Sequence, residues 1–229
     1  MTRQQTLPLP HREALGADDF LVTASNREAA AWLDKWPDWP AHCFILYGPA
    51  GSGKTHLAQM WQARSQAQAM TVAELTSQDA GSLTGNNHPL LIDDASNIAG
   101  NPDAEEALFH LYNSLREKKN FLLLTSAQPP AQWNIQLADL RSRLLAAPCA
   151  AIAAPDDELV SAMLIKQFRD RQITLGMDVV DYLLPRIERT PAAIRDLVNA
   201  LDKASLAEGR RITVALARRF LEDQGFLLS

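Results

Sequence analysis

The chain has 229 residues, with 22 lysines and arginines against 27 aspartates and glutamates, so its formal net charge is −5. Because 47% of the residues are apolar and 21% are charged, the composition is typical of a globular protein and excludes disordered, collagen-like and coiled-coil chains. The acidic balance argues against tight, non-specific binding of nucleic acid, which needs a basic surface.

The sequence shows no recognisable targeting signal. No uncharged apolar run reaches the roughly 18 residues that indicate a membrane span. The N-terminal segment MTRQQTLPLP has no apolar core of the kind that secretory signals contain. Cys43 and Cys149 are too few for a disulfide framework, and we expect both to pack in core strands. The five histidines show no metal-ligand spacing. We therefore expect a cytoplasmic protein with no membrane contact.

Apolar runs alternate with helical patterns through most of the chain. Residues 1–15 carry no periodicity and are expected to form a flexible tail. A short helix over 26–33, capped by Ser25 or Asn26, ends at the sequence WPDWP. Five strands and three helices then alternate, which predicts an α/β fold with a five-stranded parallel sheet. The strands are predicted at 43–47, 70–73, 90–93, 121–125 and 150–153, and the helices at 54–67, 104–119 and 136–145.

Beyond Pro155 the pattern is helical only. Thr190 and Pro191 form a helix start, and Pro185 is expected to kink or begin a helix. The sequence thus predicts a tail over 1–15, an α/β domain over 16–154 and an all-helical domain over 155–229. The four helices of the last domain are predicted at 156–171, 177–187, 191–208 and 213–223.

A phosphate-binding motif follows the first predicted strand. The segment from Gly48 to Thr55 matches G-x-x-x-x-G-K-[ST] and opens a predicted helix. Its glycines let backbone N–H groups converge on phosphate oxygens, and the helix N-terminus adds partial positive charge. Lys54 would reach the β- and γ-phosphates, while the Thr55 hydroxyl would ligate Mg²⁺. The residues predicted to bind nucleotide here are Gly48, Pro49, Ala50, Gly51, Ser52, Gly53, Lys54, Thr55 and His56.

Polar residues end two later strands. Asp93 would hold Mg²⁺ through water, and Asp94 stands where many ATPases carry the glutamate that orients the attacking water. Because aspartate is one methylene shorter, binding of ATP or ADP is better supported than turnover. Thr125 and Ser126 end another strand, where a polar residue could reach the γ-phosphate or the attacking water, and Ser126 is the candidate chosen.

Five segments together resemble the DnaA-like AAA+ family of bacterial replication initiators, and the resemblance is closest to its short regulatory homologues of the Hda type. The segments are FILYGPAGSGKTHLA, LLIDDA, LLLTSAQPP, LADLRSRL and TPAAIRDLVNAL. The resemblance covers about residues 11–225. It implies an AAA+ αβα domain followed by a small helical lid, with ADP or ATP and Mg²⁺ as cofactors.

The resemblance also implies roles for residues outside the phosphate-binding loop. Arg143 matches the arginine finger that reaches a neighbouring subunit's nucleotide, and Arg195 matches the lid arginine that contacts the subunit's own nucleotide. Arg141 is expected to be a surface or structural partner. Residues expected around adenine are Phe20, Leu21, Val22, Asn26 and Arg27. Trp32, Trp36 and Trp39 are expected to pack the adenine-side helix, with an aromatic partner site as the alternative.

The N-terminal tail resembles the short peptide by which replication proteins dock on the sliding clamp of DNA polymerase III. Gln4 would anchor in the clamp's groove, and Leu7, Pro8 and Leu9 would fill its apolar pocket. The match is imperfect, since Gln5 stands where leucine is common and Pro8-Leu9 replaces a Leu-Phe ending.

The leading hypothesis from these features is a negative regulator of replication initiation. It would bind ADP or ATP, dock on the clamp, and present Arg143 to ATP held by DnaA. A second copy of the chain is a further candidate partner, in a homodimer. The acidic composition predicts no sequence-specific DNA binding of its own. One alternative is a self-sufficient AAA+ ATPase such as a DnaC-type helicase loader. Another is a clamp-binding adaptor whose nucleotide is only structural.

Overall fold

The computed structural model describes residues 20–77 and 88–223. They form two compact units. One is an α/β unit made of Phe20 and residues 26–153, and the other is a helical unit made of Leu21–Ser25 together with residues from Ala154 onward. The proposed clamp peptide, residues 4–9, lies outside the described residues.

Five parallel strands form the sheet of the α/β unit, in the order β2-β3-β4-β1-β5. The three middle strands are buried along their length apart from Tyr47 at the end of β1, as expected of a parallel sheet covered by other elements. The predicted α/β fold with a five-stranded parallel sheet is therefore confirmed. The strands are β1 Cys43–Tyr47, β2 Gln68–Met70, β3 Leu90–Ile92, β4 Leu122–Ser126 and β5 Cys149–Ala151.

The helices of this unit follow the predicted alternation, with one difference. The predicted strand over 70–73 is wrong beyond its first residue, because β2 is Gln68–Met70 and a helix begins at Val72. The reason is a capping box, in which Glu74 accepts from the backbone N–H of Thr71 at 2.7 Å and the Thr71 hydroxyl accepts from the Glu74 N–H at 3.2 Å. The helices are α1 Arg27–Asp34, α2 Lys54–Ser65, α3 Val72–Ser77, α4 Pro102–Glu117 and α5 Ala138–Ala146.

An aromatic cluster packs α1 onto the sheet. The ring of Trp39 stacks on Trp61 of α2 at 5.5 Å between centroids and contacts Phe44 of β1 at 5.1 Å. Its indole N–H donates to the carbonyl of Trp32 in α1 at 2.8 Å, and Trp36 meets Trp61 edge-on at 6.1 Å. The three tryptophans are thus tied to the core of the α/β unit, which favours packing over the aromatic partner site.

The two cysteines differ in their surroundings. Cys43 is fully buried in the central strand β1, and burial raises the pKa of its thiol, so it is an uncharged packing residue. Cys149 was expected in the core, and this is wrong, because it is exposed on the edge strand β5. An edge strand with one covered face exposes alternate residues. Partial burial, followed by the Glu28 carboxylate, raises the pKa of Cys149.

Helix capping delimits the helical unit. Asp156 accepts the Leu159 N–H at 2.8 Å and Thr190 accepts the Ala193 N–H at 3.2 Å, so both act as the N-caps of the helices that follow them. Pro185 lies in a 3-10 turn after the second helix of this unit ends at Leu183, as expected of a residue that cannot continue a helix. The helices are α6 Asp157–Asp170, α7 Met177–Leu183, α8 Pro191–Glu208 and α9 Val214–Asp223.

All four helices of the helical unit contribute to its own hydrophobic core, and each buries one face there. The fully buried side chains include Leu164, Phe168, Ile194 and Leu201. Asp156 also accepts the Ser25 N–H at 3.2 Å, which ties the segment before α1 to this unit. Within the described ranges, no helix has the length and apolar character needed to cross a membrane.

Candidate functional site

The loop between β1 and α2 curls tightly over the end of the sheet. A Cβ on Gly48 would lie 2.2 Å from the carbonyl oxygen of Ile152, far inside contact distance, so this position requires glycine. Gly53 immediately precedes α2 and has a φ of 98°, which L side chains rarely adopt. The two glycines therefore let the loop turn sharply and lead directly into the N-terminus of α2, as the motif predicts.

Lys54 is held inside this loop. Its side chain is 8% exposed, and its ammonium donates to the carbonyls of Gly48 at 2.8 Å and Pro49 at 2.9 Å. The hydroxyl of Ser52 is buried and has no hydrogen-bond partner among the described protein atoms. Since buried polar groups are normally paired, an ammonium and an unpaired hydroxyl within one glycine loop suit a bound phosphate group.

The predicted metal ligands lie beside each other. The Thr55 hydroxyl, in the first turn of α2, donates to Asp93 Oδ2 at 3.2 Å. Asp93 follows β3, which pairs with β4 rather than directly with β1. A hydroxyl and a carboxylate are oxygen donors suited to Mg²⁺. Within residues 20–77 and 88–223, no group of three or more His, Cys, Asp or Glu side chains could hold a metal ion.

Thr125, not Ser126, is the β4 residue that contacts the acids. Its hydroxyl donates to Asp93 and accepts the backbone N–H of Asp94 at 2.9 Å. Ser126 is fully buried and donates instead to the carbonyl of Gln128. Neighbouring residues of a strand point to opposite faces, so only one of the pair can reach Asp93. Asp94 itself is exposed, with a left-handed φ of 50°.

The residues expected around adenine are divided between the two units. The ring of Phe20 stacks on His56 in α2, with centroids 5.4 Å apart and planes inclined by 20°. Asn26 is 3% exposed and precedes α1, whereas Arg27 is exposed. Leu21 and Val22 belong to the helical unit. Phe20 and His56 therefore offer a flat apolar surface beside the phosphate-binding loop.

Arg143 lies in the last turn of α5 and contacts α4. Its guanidinium donates to the amide oxygen of Asn113 and lies 4.7 Å from the ring centroid of Phe109. Arg141 is exposed, and no contact ties its side chain to another described residue. The more ordered of the two arginines is thus the one that matches the finger.

Arg195 is the fifth residue of α8, in the helical unit. Its side chain is exposed, while Ile194 and Leu197 on either side of it are buried in the core of that unit. No hydrogen bond or ion pair joins Arg195 to another residue in the described ranges, which leaves its guanidinium available to a ligand.

Two α4 residues that contact α5 or the segment before it were missed by the sequence reasoning. Glu105 of α4 is 1% exposed and accepts three backbone N–H groups, and Asn113 binds Arg143 directly. The available signal was an acid inside the apolar pattern of α4, between Ala104 and Leu108, because charged residues are almost never fully buried unless paired.

One titratable side chain also approaches Arg143. The ring of His42 meets Tyr112 edge-on, with centroids 4.2 Å apart. Burial lowers the pKa of His42, and the guanidiniums of Arg116 and Arg143 lower it further against a small opposing contribution from a backbone hydrogen bond. The imidazole is therefore neutral at pH 7 and adds no positive charge beside Arg143.

Gly48→Ala is expected to destabilise the α/β unit by about 1–3 kcal/mol, the usual range for overpacking at a closely packed site. The added methyl would strike the Ile152 carbonyl, which is backbone and cannot rotate away. Thermal unfolding measures the effect. Gly176→Ala is the matched control, since its methyl would meet only the rotatable carboxylate of Asp178; equal loss in both variants would show that the close approach to Ile152 is not the cause.

Comparison with known proteins bears on the whole chain. The family model described as "Hda, lid domain" matches residues 156–221, and the model described as "Bacterial DnaA ATPAse domain" matches residues 82–147. The chromosomal replication initiator protein DnaA of Thermomicrobium roseum is 31% identical over 231 residues, which cover 90% of this chain and 49% of that protein. In both of its parts the chain is similar to DnaA-like AAA+ proteins. It spans about half the length of that DnaA relative.

A second relative and two solved structures extend this comparison. An uncharacterized protein of Haemophilus influenzae is 28% identical over 186 residues, covering 78% of this chain and 80% of that protein. Domain III of Thermotoga maritima DnaA superimposes with a TM-score of 0.72 at 21% identity, covering 92% of this chain and 95% of that one. AMPPCP-bound DnaA of Aquifex aeolicus gives a TM-score of 0.70 at 18% identity, covering 90% and 68%. The AAA+ fold of this DnaA-like chain is therefore established.

Proposed function

We propose that this chain is an adenine-nucleotide-binding negative regulator of chromosomal replication initiation. Docked on the sliding clamp of DNA polymerase III through Gln4, Leu7, Pro8 and Leu9, it presents Arg143 to ATP bound by DnaA and stimulates hydrolysis of that ATP. The initiator returns to its inactive ADP form. The chain acts mainly as an activator of hydrolysis on its partner.

The match of residues 156–221 to the Hda lid carries this proposal. It favours the short regulatory branch of the family over an initiator, and the net charge of −5 agrees with a protein that contacts DNA through partners. The relative in Aquifex aeolicus is solved with AMPPCP, which supports an adenine nucleotide in the loop that holds Lys54. Phe20 and His56 would contact the base, Thr55 and Asp93 would hold Mg²⁺, and Arg195 would contact the phosphates.

The resident nucleotide, when bound, supplies negative charge that the loop and the N-terminus of α2 compensate. The chain's own residues then do three things. Lys54 and Ser52 bind phosphate oxygens, the Thr125 hydroxyl fixes Asp93, and Asp94 lies exposed at the end of β3, where it can orient a water molecule. We infer that these contacts keep the α/β unit in one conformation while Arg143 contacts the nucleotide of the neighbouring subunit.

Reconstituted hydrolysis tests this function. DnaA carrying labelled ATP is mixed with clamp loaded on DNA and with this chain, and conversion to ADP is followed. We expect conversion to require both the chain and the loaded clamp. Gln4→Ala should abolish the clamp-dependent stimulation, whereas Gln5→Ala, the neighbouring glutamine, should act as wild type. Absence of stimulation by the wild-type chain would refute the proposal.

A self-sufficient ATPase is the second candidate, because one observation favours it. Thr55 is bonded to Asp93 and Asp94 lies exposed beside it in the α/β unit, which is the arrangement that turnover in cis would use. In that case the purified chain alone would hydrolyse ATP, and Asp94→Asn would abolish the turnover. Co-purified ADP with little turnover would favour the regulator.

A further inference from the structure

One face of α4 contacts both ends of α5. Glu105, Phe109, Tyr112 and Asn113 recur at intervals of four, three and one residues, which places them on one side of the helix. Glu105 lies beside the start of α5, and the other three surround Arg143 in its last turn. This face of α4 therefore holds both α5 and Arg143, the arginine that α5 carries.

The start of α5 lacks a cap of its own. Its N-cap position is Leu137, whose side chain cannot accept a hydrogen bond. Glu105 instead holds the two residues that lead into this helix, because its Oε2 accepts the N–H groups of Gln136 at 2.9 Å and Leu137 at 2.8 Å. Its negative charge also lies next to the positive end of the α5 dipole.

The second carboxylate oxygen of Glu105 binds a different part of the chain. Oε1 accepts the N–H of Gly100 at 3.0 Å, in the turn that joins the segment after Asp94 to α4. A carboxylate that is 1% exposed would be costly without partners, and three N–H donors compensate that cost. Glu105 therefore holds two loops with one buried charge.

The guanidinium of Arg143 is also held by α4. The amide oxygen of Asn113 accepts from it, and the rings of Phe109 and Tyr112 lie 4.7 Å and 5.6 Å from its central carbon. Cation–π contacts of this kind restrict a long side chain without neutralising it. The charge thus stays available to a phosphate, while the direction of the side chain is set.

We propose that Glu105 and Asn113 are positioning residues that set the place of Arg143 for its action on a neighbouring subunit's nucleotide. This inference rests on the proposed function. Glu105 acts on the backbone of α5, and Asn113 acts on the guanidinium itself. Neither residue touches the phosphate-binding loop in the described contacts, so we expect their effect on the neighbouring nucleotide to pass through Arg143.

Glu105→Gln tests the first arm, with Glu106→Gln as the matched control. Glu106 is the next residue on α4, and among the described residues its exposed carboxylate pairs with His110, at 3.4 Å. In Glu105→Gln, an amide N–H₂ must face a backbone N–H. Amide hydrogen exchange at Gln136 and Leu137 should become faster, and hydrolysis of DnaA-bound ATP should fall by about 10- to 100-fold, the cost of a displacement near 1 Å. The ADP affinity of the chain itself should not change.

Asn113→Ala tests the second arm and leaves the buried carboxylate intact, so it remains informative if Glu105→Gln folds poorly. It should lower stimulated hydrolysis by about tenfold or more for the same reason. In the Arg143→Ala background, neither substitution should lower activity further, because residues that act through one group are not additive.

Each outcome decides between the two proposals. If Arg143→Ala is inactive but Glu105→Gln and Asn113→Ala stimulate as wild type, only the positioning role is wrong. The positioning role is also wrong if either substitution weakens ADP binding in parallel with activity, or lowers activity further without Arg143, since both results indicate general destabilisation. If Arg143→Ala stimulates as wild type, the proposed function fails and the positioning role with it.

Discussion

Arg143→Ala is expected to lower the stimulated hydrolysis of DnaA-bound ATP by about 10³-fold or more, the range that arginine fingers supply in phosphoryl transfer. The guanidinium compensates charge that develops on the transferred phosphoryl group, and it can do so with two parallel N–H donors. Single-turnover conversion of labelled ATP to ADP, with loaded clamp present, measures the loss.

The same substitution should leave the chain's own nucleotide binding unchanged. Arg143 contacts Asn113, Phe109 and Tyr112 of α4, and no described contact links it to the loop that holds Lys54. ADP affinity by titration calorimetry is therefore the internal control for a folded protein. A parallel loss of ADP binding would contradict a role in trans.

Two variants distinguish a specific arginine finger from a general effect of positive charge on this helix. Arg141→Ala removes an exposed arginine from the same helix and should stimulate as wild type. Arg143→Lys keeps one charge but loses the planar fork that binds two oxygens, so it should retain only a small part of the activity. If both arginines proved equally important, the contact would be an electrostatic patch rather than a finger.

The sequence predicted those parts of the site that depend on local chemistry. When a strand leads through a glycine-rich loop of this length into a helix, the Lys-Thr pair falls at the start of that helix. The placement of Lys54 and Thr55 therefore followed from the spacing of the motif alone. The apolar run ending in Asp93 and Asp94 located the carboxylates at the same edge of the sheet as the loop. Caps at Thr190 and Pro191 likewise marked the start of α8, because capping depends on adjacent residues.

The sequence did not predict the parts that depend on distant backbone groups. Glu105 binds the N–H groups of Gln136 and Leu137, more than 30 positions along the chain, and such pairing has no local pattern. The choice of Thr125 over Ser126 depended on which face of β4 meets Asp93, and a buried parallel strand shows no alternation from which to read its faces. Cys149 was misplaced for a related reason, since sequence does not say which strand lies at the edge.

Lys54→Ala is expected to weaken ADP binding by at least about 30-fold. Truncating one partner of a buried charge pair costs about 2–5 kcal/mol, and each 1.4 kcal/mol is about a factor of ten in affinity. The ammonium is enclosed by the loop that it would share with the phosphates, at 2.8 Å and 2.9 Å from two of its carbonyls. Titration calorimetry measures the change, and Lys203→Ala, an exposed lysine of α8, should bind ADP as wild type.

The activity of Lys54→Ala on DnaA-bound ATP then separates two roles for the nucleotide. If the nucleotide only stabilises the fold, the variant should unfold at a lower temperature yet stimulate normally below that temperature. If the nucleotide sets the conformation in which Arg143 is presented, stimulation should fall together with ADP occupancy and recover at saturating ADP. Because Lys54 and Arg143 share no described contact, such a recovery would connect the chain's own site to its action on the initiator, whereas unchanged ADP affinity would contradict the assignment of the loop itself.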